Sequence, residues 1–87
     1  MNITPEHVNI ALEIDRKFTE LQQEGLGYLL ILGEMYDLMP KFKKLMDELG
    51  QNGLDQLSLQ FSGFYHFAKL LELVASQIES GEIIVPH

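Results

Sequence analysis

From Leu54 onward, apolar residues fall at Leu57, Phe61, Phe64, Ala68, Leu71, Ala75 and Ile78, in alternating steps of three and four without a slip. A strand turns successive side chains to opposite faces. Only a helix with 3.6 residues per turn gathers this series on one side. The spacing therefore predicts an amphipathic helix over 54–80, about 40 Å long at 1.5 Å per residue, and with it an all-α fold. A seam sustained over several heptads needs other helices to cover it. Gly63 lies inside the stretch, where glycine costs up to ~1 kcal/mol relative to alanine. The expectation is that it lets a neighbouring helix approach closely. Tyr65, Phe67, Leu70, Leu73 and Val74 add apolar surface beside the seam.

Two further helices are expected upstream. Thr4-Pro5 is a helix start: the threonine hydroxyl takes a free amide, and proline at the first helical position has no amide to leave unpaired. Over 5–24, Ala11, Ile14, Phe18 and Leu21 share a face, widened by Val8 and Ile10. The next segment, 26–49, carries Leu29, Leu30, Ile31, Leu32, Met35, Tyr36, Leu38 and Met39 on more than one side. Such a helix is either central or covered by a second copy of the chain. Pro40 disfavours helical geometry at Met39, so the helix is expected to kink or split there, before Phe42, Leu45, Met46 and Leu49 resume one face. Gly50-Gln51-Asn52-Gly53 reads as a helix–helix loop. The sequence thus predicts a small antiparallel helical bundle of three main helices, or four if the second splits at Pro40. Residues 1–81 form one domain in this reading. The apolar tail 82–87, with Ile83-Ile84-Val85, is expected to lie along the bundle or to pair with the same tail of a second chain.

Composition narrows the function. With 87 residues, 46% of them hydrophobic and 22% charged, the chain is one small domain, too apolar for intrinsic disorder and too polar for the bilayer. It has no cysteine, which excludes a disulfide framework, a thiolate metal site and a cysteine nucleophile. Six basic residues against 13 acidic ones give a formal charge of −7. That balance repels phosphate backbones and anionic lipid, so neither nucleic acid nor membrane is expected as a partner. The first residues lack the basic and apolar regions of a secretory signal. The longest apolar run, Tyr28–Leu32, is far short of the about 20 residues a spanning helix needs. A cytoplasmic location follows as the expectation.

No catalytic constellation stands out. His7, His66 and His87 lack partners at helical ligand spacing, so neither metal nor cofactor is expected. Gly25-Leu26-Gly27 lacks the strand, third glycine and lysine of a phosphate loop. The Lys41, Lys43 and Lys44 cluster reads as a solvated turn, and Glu20 with Glu24 as a solvated face. Glu34 and Asp37, three residues apart in the apolar second helix, are the candidate polar site. Buried there, they would have raised pKa values and could act as acid or base; the favoured reading turns both outward. Tyr28, Leu29, Tyr36, Tyr65 and Phe67 fall beside the main stripes and are the candidate interface. Surplus apolar helix surface on an acidic exterior points to a non-catalytic protein–protein interaction module or small regulator acting as a homo-oligomer, most simply a dimer. The alternative is a small-molecule-binding or enzymatic helical protein that uses the carboxylates in an aromatic-lined pocket.

Overall fold

The computed structural model describes residues 3–81, and the expectations for the Ile83–Val85 tail lie outside the described residues. Every regular element among the described residues is helical. Helix α1 spans Pro5–Gln23, α2 spans Tyr28–Glu34, a short 3-10 turn covers Tyr36–Leu38, α3 spans Met39–Gln60 and α4 spans Ser62–Glu79.

Helix α1 begins where its sequence says it should. The Thr4 hydroxyl accepts the His7 amide, and His7 Nδ1 accepts the Thr4 amide at 3.0 Å. Histidine thus fills the place usually held by Glu or Gln in this reciprocal box. With Nδ1 accepting, Nε2 carries the hydrogen donated to Glu48 Oε1, 2.8 Å away on α3. His7 is 6% exposed, and its imidazole pins the start of α1 to the middle of α3. Two exposed pairs reinforce this contact, Lys41 with Glu13 at 2.7 Å and Lys44 with Glu6. The hydrogen bond and charge of Lys44 hold the Glu6 carboxyl below its ordinary pKa, and the same contact raises that of Lys44. Whatever this pair adds to stability is present at neutral pH and fades as acid titrates Glu6 through its lowered pKa. Thr4→Ala is expected to lower stability by about 1 kcal/mol through the lost cap, read as the shift in urea midpoint at constant slope.

The middle of the chain departs from the expected helix over 26–49 that kinks or splits at Pro40. Helix α2 stops at Glu34, Met35 leaves helical geometry (φ −100°, ψ 11°), and Leu38 N–H closes a tight turn onto the Met35 carbonyl at 2.9 Å. The break therefore precedes Pro40. Pro40 sits in the first turn of α3, where its missing amide leaves no bond unmade, so it starts a helix instead of bending one. Helix α3 itself changes direction at Gly50, whose φ of 68° and ψ of −175° belong to no helix. The glycine signal is thus real, but residues 51–53 are helical and the expected loop shrinks to one residue.

The long helix over 54–80 is interrupted as well. At Phe61 the backbone is extended (φ −128°, ψ 103°), ending α3 and starting α4. Phe61 has no side chain able to cap. Asp15 on α1 takes that role, its Oδ1 accepting the Gly63 amide at 2.6 Å and the Phe64 amide at 3.3 Å. An acid at a helix start also meets the positive end of the dipole. Gly63 permits the contact: a Cβ there would stand 2.6 Å from the Asp15 carbonyl oxygen. The expectation of close approach at Gly63 holds, while the helix around it is shorter than its apolar periodicity suggests.

Because α3 and α4 have separate axes, the apolar phase does not carry across Phe61. Phe64 and Phe67 are fully buried, whereas Ala75 and Ile78 reach the surface. The core joins Ile14 of α1, Ile31 of α2, Met35, Leu45 and Leu57 to these rings. Phe42 is the hub, with ring centroids 5.7 Å from Phe64 and 5.6 Å from Phe67. The Phe42–Phe67 pair is edge-to-face, its rings inclined at 81°, which adds about 0.5–1.5 kcal/mol beyond burial.

Candidate functional site

The candidate polar pair does not converge on anything. Glu34 ends α2 at the surface, and Asp37 in the 3-10 turn is exposed and accepts a hydrogen bond from Lys17 at 3.2 Å. Neither side chain is forced into the apolar interior, as the outward reading anticipated. Among the described residues, no three His, Asp or Glu side chains gather closely enough to hold a metal ion. His66 is exposed on α4, with Nδ1 2.7 Å from the Ser62 carbonyl oxygen.

The candidate interface residues divide. Tyr28, Leu29 and Tyr36 are exposed on α2 and the 3-10 turn, Tyr36 most of all at 77%. Leu30 beside them is 62% exposed. Tyr65 is exposed on α4. Phe67 is not: it is fully buried, packed between Phe18 and Phe42. The reading of Phe67 as surface is corrected by the break at Phe61, which turns this position inward and Ala75 outward.

An apolar surface groove of about 680 Å³ lies between α3 and α4. Its walls come from Met39 and Met46 before the Gly50 bend, Leu54 after it, and Ala68, Leu71 and Ala75 on α4. Tyr65 stands at the edge, with the Lys69 ammonium 5.7 Å from its ring centroid. Leu59 forms part of the rim and is 89% exposed. The charged residues of the lining are Lys43 and Lys69 against Asp55 and Glu72. Lys43 is paired with Asp47 at 2.7 Å and Lys69 with Glu72 at 3.4 Å.

Sequence reasoning did not single out Leu59, although a signal was present: it is apolar and out of phase with Leu54, Leu57 and Phe61. It also did not find His7 with Glu48 or Asp15 with Gly63, because their partners lie 41 and 48 residues apart. A second surface depression, between α1 and α3, is lined by charged side chains, of which Glu13 pairs with Lys41 and Glu6 with Lys44.

No protein-family model, no curated protein and no solved structure matches the chain. Among the described residues, no helix is long and apolar enough to cross a membrane.

Proposed function

We propose that the chain is a non-catalytic protein–protein interaction module, a small regulator in this sense, that acts as a helical homo-oligomer and most simply as a dimer. One observation carries the reading: large apolar side chains remain uncovered at the surface, among them Leu29, Leu30, Tyr36 and Leu59. The middle segment buries Ile31, Met35 and Leu38 but leaves Tyr28, Leu29, Leu30 and Tyr36 in water. The α3–α4 groove adds a concave apolar face to these. Scattered apolar residues are ordinary on a protein surface, but contiguous ones rimmed by charge mark contacts with another chain.

The polar candidates lend the catalytic alternative little support. A general acid or base with a shifted pKa needs burial or a charged neighbour in a cleft. Glu34 and Asp37 sit on the outside and do not line the groove.

A second reading rests on the groove's size. At about 680 Å³ it falls within the range of small-molecule sites, about 300–1,000 Å³. A thermal-shift screen against apolar metabolites separates the two. A saturable rise in melting temperature that is lost in Leu71→Asp supports a ligand site.

Size-exclusion chromatography with light scattering, run from about 1 to 200 μM, tests the first reading. A species of twice the 10.0 kDa chain mass, dissociating on dilution, is expected. A species of 10.0 kDa at every concentration overturns it.

A further inference from the structure

The self-association reading leaves open which face is used, and the α3–α4 face has the properties a two-fold contact requires. In a two-fold interface both copies contribute the same patch, so each projecting feature must lie beside the hollow that receives its mate. Leu59 projects from the end of α3, 89% exposed, on the rim of the groove. Knob and hollow therefore occupy one face of one molecule.

Charge selects the same face. Two copies each carrying −7 repel, so they meet most easily where the local charge is small. The groove lining holds two lysines and two acids, Lys43 and Lys69 with Asp55 and Glu72, and sums to zero. A strongly basic or acidic partner would gain nothing from so balanced a lining. A second copy brings the same balance, and a two-fold rotation lets the lysines of one rim face the acids of the other. Met39 and Met46 line the hollow. Their unbranched side chains adapt to an incoming leucine at little strain.

We propose that the α3–α4 groove is the two-fold interface of a homodimer, with Leu59 of each copy seated between α3 and α4 of the other. The inference rests on the self-association reading and adds its geometry. Leu59 is the central contact, and Tyr65 with its overlying Lys69 forms part of the border that excludes water. Tyr36 and Leu29 lie outside the contact.

The test compares the wild-type chain with Leu59→Asp and Tyr36→Asp by sedimentation equilibrium, with far-ultraviolet circular dichroism to verify helix content. The expected result is a dimer for wild type and Tyr36→Asp, and a dimer dissociation constant raised at least about thirtyfold for Leu59→Asp. Since the chain has no cysteine, a second measurement is available. Mixed Leu59→Cys and Ala75→Cys chains, one carrying a size tag, should cross-link with each other on mild oxidation more readily than Leu59→Cys with Tyr36→Cys. This readout does not depend on how Leu59→Asp folds. A dimer that survives Leu59→Asp and is lost in Tyr36→Asp overturns the groove geometry and leaves self-association standing. A wild-type chain that stays monomeric, whether or not it binds a foreign helix, overturns both.

Discussion

Truncation of Phe67 to alanine is expected to remove about 3–5 kcal/mol of folding stability. The side chain is fully buried and its ring meets Phe18 of α1 and Phe42 of α3. Deleting it therefore opens a cavity where three helices converge, and the edge-to-face contact with Phe42 goes with it. A domain of this length has a total stability of roughly 4–13 kcal/mol on a per-residue basis. The single change consumes a large share of that, and a substantial unfolded population at 37 °C is the expected consequence. Urea denaturation followed at 222 nm, in a sample dilute enough to be monomeric, gives the measurement. Tyr65→Ala supplies the contrast: two positions away and exposed, it should move the midpoint by less than about 1 kcal/mol equivalent while weakening self-association. If the two substitutions shift the midpoint equally, the burial of Phe67 between α1 and α3 is wrong. The exposed reading drawn from periodicity would then return.

Phe67 also shows what the sequence carries and what it does not. Helix existence was legible because it depends on neighbours in the chain: the Thr4-Pro5 start of α1, the three-four spacing of Ala11, Ile14 and Phe18, and the Leu54–Leu57 face. Ala11, Ile14, Phe18, Leu54 and Leu57 are buried as expected. The breaks were not legible, because remote contacts decide them. Nothing within a few residues of Phe61 demands an extended backbone there. The turn is held by an aspartate 48 residues from the amide it caps, and no periodicity encodes that distance. Beyond the turn the predicted series holds only in part: Phe64 stays buried, but Phe67 lies inward and Ala75 outward. Pro40 illustrates the converse. A proline tells where a helix cannot run continuously, but not whether it bends a helix or begins one. The candidate site was readable to the same extent. Tyr65 was found from its position off the stripe, whereas the groove beside it is walled by residues of α3 and α4 from Met39 to Ala75, which no local periodicity brings together.

The α1–α4 contact that sets this geometry makes Gly63→Ala the other large expected effect. On propensity alone the change should help, since alanine is favoured over glycine inside a helix by up to about 1 kcal/mol. Space opposes it. The new Cβ would stand 2.6 Å from the Asp15 carbonyl oxygen, 2.7 Å from its Oδ1 and 2.8 Å from Thr19 Oγ1. The two side-chain atoms can swing away, but the carbonyl belongs to the backbone of α1 and moves only with the helix. Overpacking of this kind costs about 1–3 kcal/mol. If the Asp15 carboxylate is displaced, its cap on the Gly63 and Phe64 amides is lost for about a further 1–2 kcal/mol. The sterics therefore win, and a net loss of about 1–4 kcal/mol is expected. For a domain of this size that lowers the melting temperature by roughly 5–30 °C. Asp15→Ala alone should lose only the cap, about 1–2 kcal/mol. In the double variant the shorter side chain gives the new methyl room and the cap can be lost only once, so the combined loss should fall short of the sum by about 1 kcal/mol or more. Thermal and urea denaturation of the four chains in the cycle measure this coupling. A Gly63→Ala chain as stable as wild type, or losses that simply add, would mean that α1 and α4 do not meet as closely as Asp15 and Gly63 require.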